Sequence, residues 1–87
     1  MRQIKTESGF KWKINEKVMD DAEILDLVAE LDEEEYASFP KLLTKLLGKD
    51  GKKALYDHLR TEDGRVPYDD VERELKDIFL SLDSKKK

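Results

Sequence analysis

The stretch Lys52–Phe79, KKALYDHLRTEDGRVPYDDVERELKDIF, decides how the chain is read. Gly64 closes one amphipathic segment and Pro67 opens the next, a pairing that marks two helices joined by Gly-Arg-Val-Pro. The first is predicted to run from Asp50 to Gly64, with Ala54, Leu55 and Leu59 facing inward and Tyr56 and His58 flanking them. The second begins at Pro67, where a missing N–H costs nothing, and Asp69 and Asp70 suit the positive end of its dipole. Tyr68, Val71, Leu75, Ile78 and Leu82 share one face, with Phe79 beside it. These side chains pack or solvate, and none is arranged to attack a substrate. Function is therefore sought in binding.

Upstream, Phe39, Leu42, Leu43, Leu46 and Leu47 recur at i, i+3, i+4, i+7 and i+8, predicting a helix capped by Ser38 and stopped by Gly48. A further helix is predicted from Asp20, its N-cap, with Met19 as a staple against Ile24 and a buried stripe of Ile24, Leu25, Val28 and Leu31. The run Asp32-Glu33-Glu34-Glu35 opposes the negative end of the dipole and ends it. Before that, Ile4 and Thr6, then Glu7-Ser8-Gly9, then Phe10, Trp12 and Ile14 alternate as a β-hairpin. A hairpin alone is marginal, so this face must rest on helices, with Trp12 as a core anchor. The expected fold is mainly α (α+β): an N-terminal hairpin and a compact bundle of about four short helices. Residues 1–82 are expected to form a single domain and 83–87 a disordered basic tail.

Eighty-seven residues without cysteine bury only about 60 to 65% of their unfolded surface, offer no thiolate or disulfide, and suit the cytoplasm. No run approaches the ~20 apolar residues of a membrane span. The net charge of −4 counts against general nucleic-acid affinity. Nine acidic residues and no basic one lie between Asp20 and Glu35, whereas Lys41, Lys45, Lys49, Lys52 and Lys53 follow, and these blocks could pair within the fold.

Candidate chemistry is sparse. His58 is the one histidine and has no orienting motif, so a structural or surface role is expected. Thr61–Val66 echoes a calcium loop, yet placing Gly64 sixth puts Leu59 first and Asp70 last, which removes the first ligand and the final Glu. Lys11, Trp12 and Lys13, with Lys5, could contact single-stranded nucleic acid, but the alternation turns Trp12 toward Phe10 and Ile14. The four glycines sit where turns or caps are expected. No catalytic residue, metal ligand or cofactor site is read from the chain.

The order of elements, with Ser8-Gly9-Phe10, Met19-Asp20-Asp21, Leu47-Gly48, Lys52–Arg60 and above all Thr61-Glu62-Asp63-Gly64-Arg65-Val66-Pro67, resembles small tail-cluster proteins of phages and prophages of Gram-positive bacteria. That resemblance implies a tail assembly chaperone: a non-enzymatic helical protein of the bacterial cytoplasm that keeps the tape-measure protein soluble and recruits tail-tube subunits. It carries no site residue across. Aromatics dominate binding hot spots, so Tyr36, Phe39, Tyr56, Tyr68 and Phe79 are the candidate partner-binding residues. A small DNA-binding or regulatory prophage protein and a general protein–protein interaction module remain the alternatives. Lys85-Lys86-Lys87 reads either as a solubilising end or, given the resemblance, as an A-rich codon run at which a frameshifted longer product arises.

Overall fold

The computed structural model describes residues 2–83. Strands β1 (Arg2–Lys5) and β2 (Lys11–Ile14) pair antiparallel, with Ile4 opposite Trp12 and Arg2 opposite Ile14. The turn closes through Thr6 N–H to Phe10 O and Gly9 N–H to Thr6 O, both 3.0 Å, and Gly9 takes the positive φ of 95° that the turn requires. The expected alternation holds: Ile4, Thr6, Phe10 and Ile14 are buried.

A 3-10 helix (Glu16–Asp20) follows, capped by Asn15, whose Oδ1 accepts from Lys17 N–H at 3.0 Å. Helix α1 (Ala22–Asp32) is capped by Asp21 rather than Asp20, with Asp21 Oδ1 accepting from Glu23 N–H at 2.9 Å. The short helix absorbs Asp20 and moves the cap one residue on. The buried stripe also differs from expectation, because Leu25 is 63% exposed while Leu27 packs on the core with Val28 and Leu31. Both choices satisfy helical spacing, and only the position of the neighbouring helix selects between them. The helix ends where the acidic run begins. Glu35 N–H reaches Glu30 O and Glu34 N–H reaches Leu31 O, a Schellman pattern with Glu34 at φ 65°.

Helix α2 (Ser38–Leu59) merges two of the expected helices, so the bundle has three helices rather than four. Gly48 breaks the geometry as its sequence position suggested, with φ 78° and ψ 170°, but the helix resumes at once instead of entering a loop. The expected second half therefore ends at Leu59, not Gly64, which lies in the connection with φ 90°. Ser38 is not the cap: Ala37 is, while the buried Ser38 hydroxyl donates to a Glu30 carboxylate oxygen and ties α2 to α1. Leu42 and Leu43 are fully buried, and each such side chain contributes about 1.5–3 kcal/mol, so this stripe carries much of the core.

Trp12 crosses the Gly48 break. Its Nε1–H donates to Leu47 O at 3.1 Å, in the turn where a helix runs out of internal donors. The indole comes this close because Gly51 has no side chain: a Cβ there would stand 2.6 Å from Trp12 Nε1. Gly51 is thus a buried helical contact and not the turn or cap expected of it. Trp12 is half-buried and stacks on Phe10 with centroids 6.2 Å apart, so it seals the core edge rather than sitting within it.

Helix α3 (Tyr68–Asp83) buries Val71, Leu75, Ile78 and Leu82, as its periodicity predicted. Pro67 stands just before it, its carbonyl accepting from Val71 N–H at 3.2 Å. Arg2 Nη1 and Nη2 donate to Leu82 O and Ser81 O, placing a cation on the negative end of the dipole. Against these gains, Glu74 is buried with Oε1 unpartnered among the described residues. Buried side chains from the hairpin and all three helices join one core. The basic tail and its frameshift reading lie outside the described residues, apart from Asp83, which closes α3.

Candidate functional site

Helix α2 packs against α1 on one side and α3 on the other, and the latter two face one another across a cleft. Phe39 and Leu42 of α2 form its floor. Val28 and Leu31 supply one wall, Tyr68, Leu75 and Phe79 the other, and Tyr36 closes one end from the α1–α2 link. The space measures about 240 Å³ and continues past Tyr36, Phe39 and Tyr68 into a second hollow of about 340 Å³ bounded by Pro40, Tyr56, Val66 and Val71. All five aromatics singled out from sequence thus converge on one surface.

Their roles differ. Tyr36 and Tyr68 are 59% and 47% exposed, whereas Phe39 is 4% exposed and belongs to the core. Phe39 supports the site from below, its ring 5.2 Å from that of Tyr68 and tilted 60° to it. Phe79 is partly buried on the wall. Tyr56 is partly buried with Lys52 Nζ 5.6 Å from its ring centre, and burial pushes its phenol pKa up. Burial likewise raises the Tyr68 phenol, and the carboxylates of Glu72 and Asp69 add to the shift. The wall residues Val28 and Leu31 were legible only as core stripe, because nothing in a helical period says which stripe residues stay half-covered.

The other candidates resolve into architecture. His58 Nε2 lies 3.1 Å from Ser8 Oγ and 3.2 Å from Ser8 O, and its ring sits 5.8 Å from Phe10, so it holds the hairpin turn against α2. In the calcium-like stretch Asp63 is engaged by Thr61 and by Arg65 Nε at 3.1 Å, and Asp70 by Arg73 at 3.1 Å. The acidic and basic blocks meet at one point, where Lys45 Nζ stands 2.6 Å from Glu23 and 3.3 Å from Asp21. Lys11 and Lys13 face outward beside a hollow lined by Trp12, Gln3 and Leu47. No group of three or more metal-ligating side chains occurs among the described residues, and no helix there is long and apolar enough to cross a membrane.

Comparison with known proteins finds no match: no family model, curated protein or solved structure is similar to the chain.

Proposed function

We propose that this chain is a non-enzymatic, tail assembly chaperone-like protein of the bacterial cytoplasm. It holds an apolar helical segment of a tape-measure protein in the cleft between α1 and α3 and helps recruit tail-tube subunits to it. The observation that carries this reading is the cleft itself. The hollow between α1 and α3 presents the half-exposed Tyr36 and Tyr68 over the buried floor of Phe39 and Leu42. An amphipathic helix reads such a groove with anchors at i, i+3, i+4 and i+7. Tyrosines at its mouth are the residues that dominate binding energy when covered. The resemblance of the loop and helix order supplies the class of partner.

Co-expression with a tape-measure segment from the same tail-gene cluster is expected to move that segment into the soluble fraction. Tyr36→Ala should abolish the effect while leaving the melting midpoint of the domain nearly unchanged, since Tyr36 is exposed. A tape-measure segment that stays insoluble and does not associate would overturn the reading, and salt-sensitive retention on DNA would move it to the regulatory alternative.

A further inference from the structure

The rim of the cleft is acidic. Asp32 and Glu72 line it from opposite walls. Glu33, Glu34 and Glu35 lie on the exposed link between Asp32 and Tyr36, both of which line the cleft, and the exposed Asp69 directly follows Tyr68 in the first turn of α3. Asp21, Glu23, Asp57, Asp63 and Asp70, by contrast, each pair with a lysine or arginine. Among the described residues none of the six rim carboxylates enters an ion pair. Against them stands Lys76 on the wall, while Lys52 lies over Tyr56 in the adjoining hollow.

We infer that the occupant of this cleft is a cationic amphipathic helix, with apolar anchors on the aromatic floor and Lys or Arg flanks against Asp32, Glu33–Glu35, Asp69 and Glu72. The inference rests on the docking role proposed above and adds the chemistry of the partner. Charge selects among the occupants. A second copy of this chain docked face to face about a two-fold axis would set one acidic rim against another, and like charges across an interface are repelled. Nucleic acid would bring phosphates to the same carboxylates. A basic helix satisfies the apolar floor and the unmatched rim together, and the rim steers its approach.

Two synthetic helical peptides of about 18 residues, sharing Leu anchors at groove spacing but flanked by Lys in one and Glu in the other, test this against the intact chain. Titration followed by amide NMR and calorimetry should show the Lys-flanked peptide binding with shifts at Tyr36, Tyr68 and Phe79. The Glu-flanked peptide should bind at least about tenfold more weakly, and raising salt from about 50 to about 500 mM should weaken the Lys-flanked complex about fivefold or more. Glu72→Lys, at an exposed position, should lower affinity for the Lys-flanked peptide and raise it for the other while the melting curve stays in place. Equal affinity for the two peptides, binding indifferent to salt, shifts outside the cleft, or no binding of either would overturn the inference. A tape-measure segment held with no sensitivity to Glu72→Lys would remove the charge rule and leave the chaperone reading standing. Binding of the Lys-flanked peptide without any tape-measure association would do the reverse.

Discussion

Glu34 occupies a left-handed conformation at φ 65°, where a side chain with a Cβ costs about 1 kcal/mol or more and glycine costs little. Glu34→Gly should therefore stabilise the domain by roughly 0.5–1 kcal/mol, read as a rise of a few degrees in melting midpoint. Gly51 presents the opposite sign. Helix propensity alone would make Gly51→Ala favourable by about 1 kcal/mol, but the added methyl would meet the Trp12 indole and Leu47 Cβ within 2.7 Å. Overpacking of this kind costs about 1–3 kcal/mol, so chemical denaturation should show a net loss. Neither position announces itself in the sequence. A glutamate in an acidic run gives no sign of a positive φ, and a glycine three residues after Gly48 reads as a second turn signal until Trp12 is placed over it.

The junction of α1 with α2 depends on charge. Asp21 is held below the usual carboxylate range first by the Glu23 backbone N–H and then by Lys45, and the hydrogen bonds that Lys45 donates to the Glu23 and Asp21 carboxylates raise its own pKa. A depressed carboxylate contributes stability that is present above its unfolded pKa and lost as pH falls through its folded one, so the capping contribution should fade below about pH 4. Asp21→Asn keeps the capping acceptor and removes the charge, and thermal melts between about pH 5 and pH 2 should show a shallower loss than the parent chain. Asp57 and Asp63 are lowered by their own neighbours and persist in the variant, so some acid sensitivity should remain. Elements were legible where period and punctuation agreed, as in the hairpin and α3. They misled where the signal was local and the outcome tertiary. Gly48 does interrupt the helix, but Leu47 and Leu55 on either side are both needed by the same core, and packing carries α2 through the break.

Three helices and a hairpin share one core and leave an aromatic concavity with an acidic rim between α1 and α3. The five aromatics were legible as a set from residue type alone. Their convergence was not, since it depends on α1 and α3 standing apart on either side of Phe39, and the burial of Phe39 separates support from contact. The central claim is that this concavity is where a partner helix docks. Site-specific photocrosslinking tests it most directly, with p-benzoylphenylalanine placed at position 68 in one variant and at position 13, an exposed site on β2 outside the cleft lining, in another. On co-expression with the tape-measure protein proposed as its partner, a crosslinked adduct is expected from position 68 and none from position 13. Adducts from position 13 alone, or from neither position, would contradict the account.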